Sequence, residues 1–138
     1  MAETLDIGPG TRVFEVDCGD GAFLYPFHQN GYIVGGTDGD PAMIEQAIAA
    51  MPDGLFTVAL ASALDPAEPW DVMLCRSLSA APDSDYVRGV VARMFAKATH
   101  AIALLNVPEK QHRVLLHALA EAGANAVQIE KNDLFARV

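Results

Sequence analysis

Gly19 and Gly21 stand two residues apart, directly after the run Val13, Phe14, Glu15, Val16, with Asp17, Cys18 and Asp20 around them. Glycine at a strand end lets a ligand approach the backbone. A helix opening there presents N–H groups that have no partner within the helix. Nineteen residues after Gly19 the next extended run closes on Asp38. An acid at that place in a doubly wound sheet accepts hydrogen bonds from ribose hydroxyls. Each feature also has an ordinary use: a glycine pair reverses a chain, and an aspartate in Thr37-Asp38-Gly39-Asp40-Pro41 suits a turn or a cap. Together, at this separation, they favour a ligand that carries adenosine. The third glycine of a dinucleotide fingerprint is absent, because position 24 is Leu24, and this disfavours a nicotinamide cofactor.

Other reactive side chains are few. Cys18 and Cys75 fall at the ends of two extended runs, and both thiols are expected to line the same cleft or to serve as small buried apolar groups. Arg76 follows at the mouth of that cleft and suits a substrate carboxylate or phosphate, or an ordinary exposed arginine. His28, His100, His112 and His117 have no metal-ligand spacing, and no metal is expected. The chain has no Gly-x-Ser-x-Gly and no Gly-Lys-Ser/Thr phosphate loop. No pattern selects a general base. His28 and Asp83 are the available guesses, and the catalytic residue stays unassigned.

These groups need elements to hold them. Extended runs are expected at 12–17, 32–38, 55–60, 70–75 and 100–107. A short helix follows the first, over 21–30, with Pro26 inside it and Gly31 as its stop. Asp40 caps the next helix and Pro41 opens it, with a buried stripe of Met43, Ile44, Ala47, Ile48 and Met51. The stretch 61–69 is too short and proline-rich for a full helix. A helix over 83–98 buries Val87, Val90, Val91, Met94 and Phe95, and one over 109–122 turns Val114, Leu115, Ala118 and Leu119 inward, ending at Gly123. The terminal stretch 125–138 forms two strands with a tight turn at Asn132-Asp133. Strands alternating with helices predict an α/β chain built on a parallel sheet.

Here the chain resembles the class I S-adenosylmethionine-dependent methyltransferases. Val13-Phe14-Glu15-Val16-Asp17-Cys18-Gly19-Asp20-Gly21 is similar to their first motif, Val34 to Asp38 with Met43 to their second, and Trp70-Asp71-Val72 to the opening of their fourth strand. The resemblance covers nearly the whole chain. It implies a Rossmann-like methyltransferase fold over 1–138 as one domain: a mostly parallel seven-stranded sheet, order 3-2-1-4-5-7-6, with a C-terminal antiparallel hairpin. It implies S-adenosylmethionine as cofactor, with Glu15, Asp17, Cys18, Gly19, Asp20 and Gly21 around the methionine portion. Asp38 would meet the ribose and Met43, Ser62 and Ala63 the adenine; Gly39 would also touch the cofactor, and Cys75 would line the cleft. Arg76 is placed with the substrate.

The chain departs from the family at three places. Asp17 replaces the first glycine of the motif; aspartate tolerates unusual backbone angles better than most residues. Ser62 stands where an acid usually bonds the adenine amino group, with Asp65 as a possible substitute. The family's N-terminal helices and its cap before the final hairpin have no counterpart in the pattern, so a homodimer or a partner protein is expected to cover the cleft. No Asn-Pro-Pro-aromatic motif follows the fourth strand, which disfavours amide or adenine amino methylation.

Bulk properties narrow the function. The net charge is −9, and the nine basic residues form no stripe, which disfavours nucleic acid and anionic membranes as partners. No apolar run reaches the roughly 18 residues that a spanning helix needs. The N-terminus lacks a basic start and an apolar stretch, so a cytoplasmic protein is expected. The leading expectation is methyl transfer to a small molecule. The alternative is a protein of the same fold without that activity, either a binding or regulatory subunit or one whose cleft serves a rearrangement or cyclisation.

Overall fold

The computed structural model describes residues 1–66, 68–78 and 83–138. Seven strands form one sheet: β1 (Arg12–Val16), β2 (Ile33–Asp38), β3 (Leu55–Val58), β4 (Trp70–Cys75), β5 (Ala98–Leu104), β6 (Ala126–Glu130) and β7 (Asp133–Arg137). Their order is β3-β2-β1-β4-β5-β7-β6. The first five are parallel, and β7 joins β5 antiparallel and pairs with β6 as a hairpin. The order reverses between β1 and β4. In open α/β sheets that switch point, at the C-terminal ends of the strands, is where ligands bind.

The strands read as apolar runs because both faces of the sheet are covered. On one face Phe14, Val16, Met73, Ile102 and Leu104 pack with α4 (Ser84–Lys97) and α5 (His112–Ala122). On the other, Val13, Val34, Val72, Leu74 and Ala103 pack with α3 (Pro41–Ala50) and with Leu24. Caps set the helix starts. Asp40 accepts a bond from the Ala42 amide and Pro41 opens α3; Asp83, one of the two guessed bases, caps α4 through the Tyr86 amide at 2.7 Å.

Several expected boundaries and faces are corrected. The helix after β1 is only α2 (Tyr25–Gln29), because residues 17–24 are taken up by the glycine turn, and Pro26 sits in its first turn without kinking it. Ile48 and Val114 are exposed, and Met43 is only half-buried. The stripe of α3 is therefore Ile44, Ala47 and, just beyond its end, Met51. The final hairpin turns at Lys131-Asn132, one residue earlier than expected, because Glu130 pairs with Asp133 and Lys131 takes the left-handed conformation, φ 55°. A helical turn, α1 (Ala2–Leu5), precedes β1. Arg137 at the end of β7 donates to the carbonyls of Leu5 and Thr4, and Thr4 Oγ1 donates to the Glu130 carboxylate of β6, so α1 lies against the C-terminal hairpin.

The connection from β3 to β4, residues 59–69, contains among its described residues only a 3₁₀ turn, Ala61–Ala63. A parallel crossover ordinarily carries a helix over the sheet. Without one, a groove of about 370 Å³ stays open over β2 and β3.

Candidate functional site

The chain leaving β1 takes left-handed backbone angles three times in five residues: Asp17 at φ 57°, Gly19 at 57° and Gly21 at 82°. This tight path is fixed from both sides. The Cys18 amide donates to the Thr37 carbonyl of β2 at 2.9 Å, and the Gly21 amide to Cys18 at 3.1 Å. The two glycines serve different ends. A side chain at Gly21 would meet Met51 Cε at 2.6 Å and Ala47 Cβ at 3.4 Å, so Gly21 lets α3 pack closely. A side chain at Gly19 would meet nothing within 4 Å, so this backbone is the one open to a ligand.

Asp38 ties the turn to the start of α3. One of its oxygens accepts the Gly19 amide at 2.9 Å and the other the Asp40 amide at 2.9 Å. A carboxylate has about four lone-pair sites, so each oxygen keeps capacity for a hydroxyl. Gly39 beside it is exposed, and the Leu60 side chain lies 2.9 Å from where its Cβ would be. Leu60 thus gives this end of the site an apolar surface.

Across the switch point Val16 pairs with Cys75. Just beyond, Ser77 Oγ donates to Asp17 Oδ2 at 2.7 Å and lies 3.2 Å from Cys75 Sγ. The carboxylate in place of the motif glycine is therefore held by the β4 side of the cleft. Glu15 is fully buried, and Arg76 Nε donates to its Oε2 at 2.5 Å; Glu15 Oε1 has no partner among the described residues. The Arg76 guanidinium lies over the Phe23 ring at 4.6 Å, and its side chain is one-third exposed. Burial raises the Glu15 carboxyl from 4.5 to about 7 despite the opposing pull of Arg76.

Apart from Met43, half-buried on α3, and Arg76, bonded to Glu15, the expected site residues fall into two groups. Asp17, Gly19, Asp20, Asp38 and Gly39 lie at the strand ends with surface to offer, and Ser62 and Ala63 are exposed on the 3₁₀ turn. Glu15, Cys18, Gly21 and Cys75 are buried, so they support the turn from beneath. Burial pushes the Cys18 thiol up to about 12 and raises Cys75 as well; both are free thiols buried in the core. His28 bonds Asp53 at 2.7 Å on α2. Among the described residues no group of side chains is arranged to hold a metal, and no helix is long and apolar enough to cross a membrane. Ser77, Phe23 and Leu60 were not singled out from the sequence. Ser77 could have been, since pairing Val16 with Cys75 brings residue 77 near residue 17.

Comparison with solved structures identifies the fold. The chain superimposes on magnesium protoporphyrin IX methyltransferase (ChlM) of Synechocystis PCC 6803, solved with bound SAM, with TM-score 0.78, 17% identity and 94% of this chain on 70% of that one. The sugar N-methyltransferase KedS8 of Streptoalloteichus sp ATCC 53650 gives 0.79, 15% identity and 94% on 80%. DesVI of Streptomyces venezuelae gives 0.82, 12% identity and 99% on 89%. No family model and no curated protein matches the chain. The chain has the Rossmann-like fold of class I S-adenosylmethionine-dependent methyltransferases, with their expected strand order.

Proposed function

We propose that the chain is an S-adenosylmethionine-dependent methyltransferase acting on a small molecule. One observation carries the reading. At the switch point of a methyltransferase-like sheet, Gly19 leaves open space over its backbone while Asp38, bonded to the Gly19 amide, keeps free acceptor sites beside it. That pair suits a ribose-bearing ligand. Asp38 would take the ribose hydroxyls. Gly39, Leu60, Met43, Ser62 and Ala63 would meet the adenine, and Asp17 with Asp20 would face the methionine end. When bound, S-adenosylmethionine supplies an electrophilic methyl group on a sulfonium centre. The chain's own part is alignment of acceptor and cofactor and exclusion of water. Asp17, held by Ser77, would bring its carboxylate towards the cationic sulfonium end of the cofactor. A small acceptor is favoured over nucleic acid by the charge of −9 and by the fold shared with a sugar N-methyltransferase.

A second reading, a protein of this fold without methyl transfer, is favoured by the same Asp17. Its carboxylate occupies a glycine position and is already engaged by Ser77. Calorimetric titration with S-adenosylmethionine and S-adenosylhomocysteine decides between them. Micromolar binding of both is expected. No binding at millimolar ligand, or binding that Asp17→Gly strengthens by a large factor, would favour the second reading.

A further inference from the structure

Arg76 stands in the strand-end cleft with no part yet in binding a ligand. It follows Cys75, the β4 residue paired with Val16 of β1. Its side chain crosses the switch point towards β1: Nε donates to Glu15 Oε2, and the guanidinium lies over the Phe23 ring at 4.6 Å. An in-plane bond and a ring against one face fix the orientation of the group. A guanidinium carries five N–H donors, and Glu15 takes one of them. Neither Nη has a hydrogen-bond partner among the described residues, and the side chain is one-third exposed. Burial favours the neutral form of Glu15, raised to about 7, so at neutral pH Glu15 cancels only part of the Arg76 charge. The Nη edge is what remains for a ligand.

The surroundings narrow what that edge can take. Arg76 is the only Lys or Arg in 13–24, 33–40 and 70–78, the segments that build the cleft, whereas Asp17, Asp20 and Asp38 stand at the same strand ends. A dianionic phosphate would meet one cation among several acids. A single carboxylate matches the two-donor fork, and on a molecule that also bears a positive charge it suits the acids as well.

We propose that Arg76 is the carboxylate-binding residue of this cleft, taking through its two Nη groups the acid of an amino-acid-like ligand. The acid is the cofactor's own or one carried by the methyl acceptor, and in either case the assignment rests on the methyltransferase reading above.

The test separates the two sources. S-Adenosylhomocysteine has the amino-acid end, and 5′-methylthioadenosine lacks it. Both are titrated by calorimetry into Glu15→Gln and into Glu15→Gln/Arg76→Gln, a pair of variants in which no buried carboxylate is left without its cation. Loss of Arg76 is expected to weaken S-adenosylhomocysteine roughly ten- to hundred-fold, the worth of hydrogen bonds between charged groups, and to leave 5′-methylthioadenosine unchanged. That result assigns the cofactor's carboxylate. If S-adenosylhomocysteine is unchanged, the second arm decides. The ¹⁵N-labelled parent, saturated with S-adenosylhomocysteine, is titrated with benzoate and with benzamide. The signal followed is the Arg76 Nε–H, identified by its absence from Arg76→Lys. Saturable shifts with benzoate and none with benzamide assign the acid to the acceptor. The proposal is overturned if S-adenosylhomocysteine is indifferent to Arg76 and benzoate shifts the signal no more than benzamide. It is equally overturned if both nucleosides weaken alike, which would make Arg76 a support of the turn. A parent that binds neither nucleoside would defeat the methyltransferase reading by itself, and benzoate on the ligand-free chain would then judge Arg76 by the same criterion.

Discussion

Glu15 is an acid with no exposed surface, one oxygen bonded to Arg76 and the other without a partner. Desolvation raises its folded-state pKa from 4.5 to about 7. Between those values the folded chain holds a proton that the unfolded chain has released. The stability this group contributes is therefore fully present below pH 4.5 and falls as pH rises towards 7. A shift of this size is worth on the order of 3 kcal/mol. Glu15→Gln, which cannot titrate, should gain stability relative to the parent across that interval. Urea melts of both proteins at pH 5 and pH 7.5 check this; parallel stability of the two over that range would mean that Arg76 keeps Glu15 charged throughout. The acid itself was legible in the sequence. Its burial and its partner were not, because they follow from the register of β1 against β4, which brings together residues 61 positions apart.

Gly35 shows what an element can demand of one residue. A side chain there would stand 2.7 Å from the Leu55 carbonyl oxygen and 2.6 Å from the end of the Trp70 ring. The carbonyl belongs to the β2–β3 ladder and has little room to yield, so Gly35→Ala must push the strands apart or expel Trp70. Such overpacking costs about 3 kcal/mol or somewhat less. The loss should appear in chemical denaturation, together with a red-shifted emission from the single tryptophan; a variant as stable as the parent, with unchanged emission, would show that Trp70 does not pack on β2. At this scale the sequence was readable where local rules dominate. Strand cores, the Asp40 cap and the Gly123 stop depend on near neighbours, and the structure has them. The faces of α3 and α5 were less so, because Ile48 and Val114 fit an apolar stripe yet meet no packing partner that buries them. The groove beneath Thr37 had no signal beyond the shortness of the β3–β4 connection. A missing helix leaves no periodicity to detect, and what it uncovers depends on strand order.

The whole molecule carries a net charge of −9 and ends its sheet in two free edges, β3 and β6. Every residue of β6 is exposed, and Val127 and Ile129 face outward from the same side of the strand. An open edge with apolar side chains is a template for pairing with another strand, and like charge is what opposes it. Repulsion between two copies reaches about 30 Å at 0.01 M salt and about 3 Å at 1 M. Association through β6 should therefore strengthen with salt. The strand lies at the sheet edge beyond β5 and β7, three places from β4, so this contact would not cover the strand-end cleft as the expected dimer would. Sedimentation velocity should find monomers at low salt and reversible dimers at high salt. Ile129→Lys should keep the chain monomeric in both, with stability changed by less than about 0.5 kcal/mol because the site is exposed. Saturating S-adenosylhomocysteine should leave the dimer fraction unchanged. If association instead weakened with salt, or responded to S-adenosylhomocysteine, the contact would lie at the cleft, and a second copy would form part of the site.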